Sequence, residues 1–476
     1  MRRQTLSLHI LSEDEKVKIH HTALEVLERT GMDIFDEESI EILSSAGASV
    51  VNKTRVRIPT FLVQEALNSA PSRVTLYNRD GVPHLYLCDD NYYFMSSPGC
   101  LNIIDSHTQE RRPITYEDMC NYAKIVDSLS EIEMIGSWMI SLQPEVIADR
   151  YQAEAIILNS SKPFYLAPLS IEGLQDVISM CSIVCGGMEA LSKKPFFVTA
   201  ANPIPPLRIP QLSCQKLLTM VGKGLPIIFN PMILVGATGP IDLYGSLILL
   251  IANNLAELVL SQRKKKGAPV ILGGVGSAMD MRTGQMCYEG PELNLLCGAL
   301  AEMGHFYGLP VWGTGGCSSS KILDAQAAAD VSSSLIFSIL TGANLIHDVG
   351  FLENGLTSSF EIQFLCNEMI SMVRHLAKGF TVGNTAEALD LIDRTGVDGH
   401  YLTTPETFDR FRQIWTPGLT DRQTYSSWME SGGLSMQDRM HAKVEETLRN
   451  YHPKELDQGI RRELRKIVEA AEKKYV

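Results

Sequence analysis

Val311-Trp312-Gly313-Thr314-Gly315, a helical stretch over Asp324–Leu340, and then Asn344-Leu345-Ile346-His347-Asp348-Val349-Gly350-Phe351 read as a strand–helix–strand unit. The two outer runs are short, apolar and punctuated by glycine, as buried strands are. The segment between them repeats its apolar residues at helical spacing. The same kind of run recurs at Tyr93–Ile104, Met134–Ser141, Phe164–Pro168, Phe196–Asn202, Ile227–Gly236 and Val270–Gly276. Helical segments such as Tyr116–Leu129 and Leu174–Val184 lie between these runs. Eight strand–helix alternations predict an α/β fold, a (β/α)8 TIM barrel over residues 93–383, in preference to an open doubly wound sheet.

Two extensions flank this barrel. Residues 1–92 read as α+β: a helix near 13–30 ending at Gly31, a second from Asp36 to Ala46, strands at Arg55–Ile58 and Val74–Tyr77, and a turn at Asp80-Gly81. Residues 384–476 read as a charged helical extension with an aromatic-rich stretch, Phe411–Trp428. Arg2 and Arg3 have no apolar run behind them, and Ser12–Glu15 reads as a capping box instead of a signal segment. The apolar stretch Leu247–Leu260 is interrupted by Asn253, Asn254 and Glu257, so we read it as a buried barrel helix and expect no membrane association. The net charge is −13, and the one basic cluster, Arg263 to Lys266, ends a predicted helix, which argues against nucleic acid as a partner. Ten scattered cysteines fit reduced thiols in a cytoplasm.

Candidate chemistry concentrates at the ends of the runs, because barrel enzymes place their sites at the carboxyl ends of the strands. Cys181 and Cys185 lack a nearby histidine and His20-His21 point to different faces, so no metal site is predicted. Gly273-Gly274 and Gly313–Gly316 match no phosphate-binding pattern and leave room for a substrate. His347-Asp348 closes an otherwise apolar strand and is the leading catalytic candidate. Asn230 ends another run. Phe94, Trp138, Phe229, Trp312 and Phe351 supply aromatic faces of the kind that hold quaternary ammonium groups.

The stretch Gly313–Lys321, then Asp324-Ala325-Gln326-Ala327, then Gly342–Gly350 resembles the trimethylamine methyltransferase family. Ile19-His20 and Glu25–Glu28 near the start, and Trp415 and Trp428 in the tail, extend the resemblance over nearly the whole chain. It implies a TIM barrel that moves a methyl group to Co(I) of a corrinoid held by a separate, cognate protein. The chain itself would bind no cofactor tightly: Asp105-Ser106-His107 begins like a corrinoid motif, but Glu110 replaces its glycine. The founding members carry pyrrolysine, and we place the corresponding position in the loop after Trp312. Members without it resemble demethylases of quaternary amines. Glycine betaine, giving dimethylglycine, is then the expected substrate, with proline betaine, carnitine and γ-butyrobetaine as alternatives. A non-catalytic quaternary-ammonium binder and a methyltetrahydrofolate enzyme are the other readings. On this view the aromatic residues wall the cation, and His347, helped by Gln326 and Asn230, donates hydrogen bonds to the substrate carboxylate. Asp348 holds the imidazole or serves the structure alone. A homo-oligomer is expected.

Overall fold

The computed structural model describes residues 6–475, so Met1–Gln4 lie outside the described residues. Eight parallel strands close into a barrel: β1 (Tyr93–Ser96), β2 (Ile135–Gly136), β3 (Phe164–Tyr165), β4 (Phe197–Ala201), β5 (Ile227–Phe229), β6 (Val270–Ile271), β7 (Trp312–Thr314) and β8 (Leu345–Val349). β2 to β6 pair in order, and β7–β8–β1 form the other arc. Single parallel bridges, Met95 to Met134 and Leu272 to Val311, join the two arcs. A helix follows each strand: α1 (Tyr116–Ser128), α2 (Ala148–Asn159), α3 (Ile171–Cys185), α4 (Gln211–Gly222), α5 (Leu243–Lys264), α6 (Pro291–Phe306), α7 (Ala325–Leu340) and α8 (Phe360–Ala377).

Several runs that read as single long strands are broken. Residues 93–104 divide into β1 and a separate strand, Asn102–Ile104, which pairs with Arg111–Pro113 and Thr357–Ser358. Residues 227–236 divide at Asn230-Pro231, and Met232–Val235 pairs with Val275–Ala278 beyond Gly274, whose φ is +135°. Proline cannot donate to a ladder, and that φ suits only glycine, so the barrel strands stop here and short ribbons build the rim.

Alternation along the strands separates two cores. Tyr93, Met95, Tyr165, Val198, Ala200, Ile228, Trp312 and Leu345 pack together in the lumen. Val74, Leu76, Leu85 and Leu87 join them from an antiparallel hairpin, Val74–Tyr77 with Pro83–Leu87, which seals the amino end of the barrel. The hairpin turns through Gly81 at φ +75°, where the Asp80-Gly81 signal stood. The second core lies between strands and helices.

The capping box at Ser12 forms as read, and the first helix, Glu13–Glu25, continues as a π turn to Gly31. This helix, Glu37–Ser45 and Thr60–Ser69 all pack on α5. That explains why α5 is buried along nearly its whole length, its Asn253, Asn254 and Glu257 included: it is covered by the barrel on one face and by the N-terminal extension on the others. Arg263 and Lys264 at its end pair with Glu65 and Glu38. In the C-terminal extension, Met436–Asn450 packs on α8 and α1, and Gln458–Tyr475 packs on α2 and α3.

Candidate active site

The lumen opens at the carboxyl ends of the strands into a cavity of about 160 Å³. Its chemistry depends on a fault in β8. Leu345 faces the lumen, Ile346 the helices and His347 the lumen. Regular alternation would send Asp348 outward. Asp348 instead takes φ +70°, and the pairing with β1 steps from Ile346–Phe94 to Val349–Ser96, two residues of β8 against one of β1. This is a β-bulge with its extra residue in the left-handed region, which aspartate tolerates better than most side chains. Two consecutive residues, His347 and Asp348, therefore line the same cavity.

His347 is held on both edges. Its Nδ1 lies 2.6 Å from Asp348 Oδ1, and its Nε2 lies 3.2 Å from Thr314 Oγ1 on β7. The approach to Asp348 is close but not aligned as a hydrogen bond, and Nδ1 has no hydrogen-bond partner among the described residues. The imidazole stacks on Trp312 with centroids 4.1 Å apart, and Tyr165 lies 5.3 Å beyond the indole. Tyr288 and Phe351 meet edge to face across the cavity at 6.1 Å. No lysine or arginine is among the described residues lining it. Burial first, and then the charge of Asp348, push the hydroxyls of Tyr165 and Tyr288 upward. Burial with the same charge pushes the Cys297 thiol up to about 11.

Four buried polar atoms converge here without a hydrogen-bond partner among the described residues: Asn230 Oδ1, Trp312 Nε1, His347 Nδ1 and Asp348 Oδ2. Leaving such a group unpaired costs about 1–3 kcal/mol. Converging on one small cavity, they mark a place built to be completed by a ligand.

The structure brings together His347, Asp348, Asn230, Trp312 and Phe351 of the residues singled out in the sequence, and separates the rest. Phe94 lies between the lumen residues Tyr93 and Met95, so it faces outward, beneath the Arg374 guanidinium. Phe229 is outward for the same reason, next to Ile228. Trp138, beyond β2, stacks on Tyr122 at 3.7 Å and donates its N–H to Ser97 Oγ. Gln326 is exposed on the first turn of α7 and donates to Asp330 Oδ2. The three aromatics, read as cavity wall, are packing residues instead, and Gln326, read as a helper at the substrate carboxylate, lies on the surface outside the cavity lining. Tyr165, Tyr288, Ser137 and Gln152 line the cavity and had not been chosen. Only the phase of β3 could have signalled Tyr165, and Tyr288 sits in a loop with no periodicity.

His107, His441 and Glu445 bring ligand atoms within 4.8 Å of one another on the surface, away from the cavity. They tie the rim hairpin to the helix Met436–Asn450, and 334 positions of sequence between the two histidines hide the grouping from any spacing argument.

An eight-stranded barrel with a small aromatic-walled, anion-bearing cavity at its carboxyl end has the form of a barrel enzyme for a small molecule. The profile of the trimethylamine methyltransferase (MTTB) family matches residues 1–475, and the chain belongs to this family of methyltransferases, as a member built from standard residues only. It is 32% identical to trimethylamine methyltransferase MttB of Desulfitobacterium hafniense, over 98% of this chain and 94% of that one. It is 31% identical to a glycine betaine methyltransferase of the same species, over 97% and 96%. Among crystal structures, the monomethylamine methyltransferase MtmB of Methanosarcina barkeri shares the fold, with TM-score 0.54, 13% identity and coverage of 92% and 88%.

Proposed function

We propose that this protein transfers a methyl group from a small quaternary amine, glycine betaine first among them, to the Co(I) corrinoid of a separate protein. The carrying observation is the placement of the Asp348 carboxylate beside Tyr165, Trp312, Tyr288 and Phe351 in a cavity with no lysine or arginine among the described residues lining it. A carboxylate with aromatic faces recognises a cation, and quaternary ammonium is the cation for which aromatic faces serve best. Glycine betaine is the smallest of the carboxylate-bearing candidates, in keeping with a cavity of about 160 Å³.

A quaternary ammonium already carries the charge that makes its methyl carbon electrophilic. The C–N bond breaks, its electron pair stays on nitrogen, and the Co(I) pair forms the new bond to carbon. The corrinoid supplies the nucleophile, so this chain needs no general base. Its work is to bind the cation, aim one methyl outward and exclude water. Asp348 faces the ammonium, and His347, held through Nε2 by Thr314 and stacked on Trp312, lies against it. The substrate carboxylate, assigned from the sequence to His347, passes to the unpartnered indole N–H of Trp312.

Incubation with free cob(I)alamin and a panel of methylated amines tests the reading, through the appearance of the methylcobalamin spectrum. Methylation from glycine betaine and none from trimethylamine is expected. Turnover of trimethylamine, transfer from methyltetrahydrofolate alone, or betaine binding without any transfer would each overturn it. Trp312→Phe keeps a ring and removes the N–H. It should weaken glycine betaine while leaving choline, which has no carboxylate, nearly unaffected; equal losses would remove the indole N–H from carboxylate recognition.

A further inference from the structure

The helix Met436–Asn450 packs on α8 and α1 and buries Met440 and Val444. The residue after each of these, His441 and Glu445, stands at the edge of that contact, half-buried, one helical turn apart and on one face. His107 meets them from the rim hairpin. Its Nε2 lies 3.6 Å from Glu445 Oε1, and its ring stands edge to face with that of His441 at 5.8 Å. One ligand atom from each of the three residues falls within 4.8 Å of the others.

Hydrogen bonding between His107 and Glu445 does not account for this grouping, since 3.6 Å is too long for one. The separation does match a metal. Zinc–ligand bonds of about 2.0–2.2 Å in a tetrahedron place neighbouring ligand atoms roughly 3.3–3.6 Å apart. Two imidazoles and a carboxylate are a donor set that zinc takes. Calcium and magnesium, which take oxygen, would leave both imidazoles unused.

The surroundings hold the ligands in advance. His441 Nδ1 donates to Oε1 of the buried Glu361, on the first turn of α8, at 3.2 Å, which leaves Nε2 for a metal. A carboxylate behind a metal-bound imidazole fixes its tautomer and orientation and raises its basicity. The backbone of His107 is pinned as well. Asp105 Oδ1 accepts from the N–H groups of His107 and Thr108, and Asp105 Oδ2 accepts from Arg112, which also pairs with Asp118 on α1. Three separate elements thus each bring a fixed piece: the rim hairpin, the start of α8 and the C-terminal helix. The hairpin also pairs with Thr357–Ser358, and Thr357 bridges back to Leu352, the neighbour of the cavity residue Phe351. A clip at His107 would therefore steady the rim from outside the cavity.

We propose that His107, His441 and Glu445 bind a zinc ion that clips the rim hairpin to the helix Met436–Asn450, with water at the fourth, solvent-facing position. This does not rest on the assigned methyl transfer. The full chain, first stripped with a chelator, is titrated with zinc chloride in competition with a chromophoric zinc indicator. Wild type should take up one equivalent. His107→Ala removes an exposed side chain and leaves the core untouched. It should weaken that uptake by more than the roughly 10- to 100-fold that loss of an outer partner costs, and Glu445→Gln should do the same. Glu361→Gln should fall within that 10- to 100-fold range while still binding one equivalent. Zinc should raise the melting temperature of wild type and leave that of His107→Ala where it was, and calcium chloride should move neither. No zinc uptake by wild type, equal affinity in wild type and His107→Ala, or a calcium response as large as that to zinc would each overturn the proposal.

Discussion

The two ends of the barrel differ in how completely their groups are matched. At the amino end the hairpin fills the lumen with leucine and valine, and the buried Lys162 ammonium donates to the carbonyls of Val126, Leu129 and Ile132. At the carboxyl end Asp348 is held in the left-handed region within β8 itself, and four unpartnered polar atoms line one cavity, whereas the unpartnered Nε atoms of Arg79 and Arg374 at the amino end belong to guanidiniums bonded through their other nitrogens. Stability is concentrated at the first end and unspent interaction at the second, the division a barrel permits because its loops and its floor are built from different residues.

The largest effect expected from breaking this contrast is on the floor. Leu85→Ala should cost about 2–5 kcal/mol in denaturant unfolding while leaving the KM of the amine unchanged; a changed KM would show that the hairpin reaches the site. At the mouth, Asp348→Asn should lower kcat/KM about 10- to 150-fold, the equivalent of roughly 1.5–3 kcal/mol of charge-assisted interaction. Its melting temperature should hold or rise, since a buried charge without an aligned partner is removed. Phe351→Leu should raise KM about 2- to 30-fold, from roughly 0.5–2 kcal/mol of cation–π contact, with kcat little altered.

The smallest effect is a slope. Burial lowers the Lys162 pKa to about 8 from an ordinary value of 10.5. Between those values the unfolded chain holds more protons than the folded one, so this group makes stability rise with pH from about 8 to 10.5 and gives that contribution back as pH falls through 8. Subtracting the unfolding free energies of Lys162→Met from those of wild type across this window should isolate the slope; identical curves would mean the ammonium is better solvated than its position suggests.

The barrel was legible in the sequence because glycine, proline and polar residues punctuate the ends of several runs, as at Gly313–Gly316 and Asn230-Pro231. The phase of each strand was not. Strands covered on both faces are apolar throughout, so nothing distinguishes Phe94 from Tyr93 or Phe229 from Ile228 until the sheet closes. Trp312 was found because a tryptophan is costly to bury fully and so is informative beside a strand run, whereas Trp138 carried the same signal and belongs to the outer core. Tyr288 joined the cavity from a loop, through tertiary contact alone. The His347-Asp348 pair stood out as ionisable residues in an apolar strand, but no pattern announced that both would share one face.

The bulge in β8 makes the length of this strand as consequential as its composition. A strand with a period of two can ordinarily place only every second residue in the lumen, and one extra residue locally releases that restriction. Deleting a single position at Asp348 would leave every other side chain available, restore regular pairing with β1 and return a tidier barrel. The carboxylate would be lost from the lumen, and the imidazole would lose its neighbour. Insertions and deletions, more than substitutions, are thus the changes by which a barrel of this kind could gain or lose a charged pair in one step.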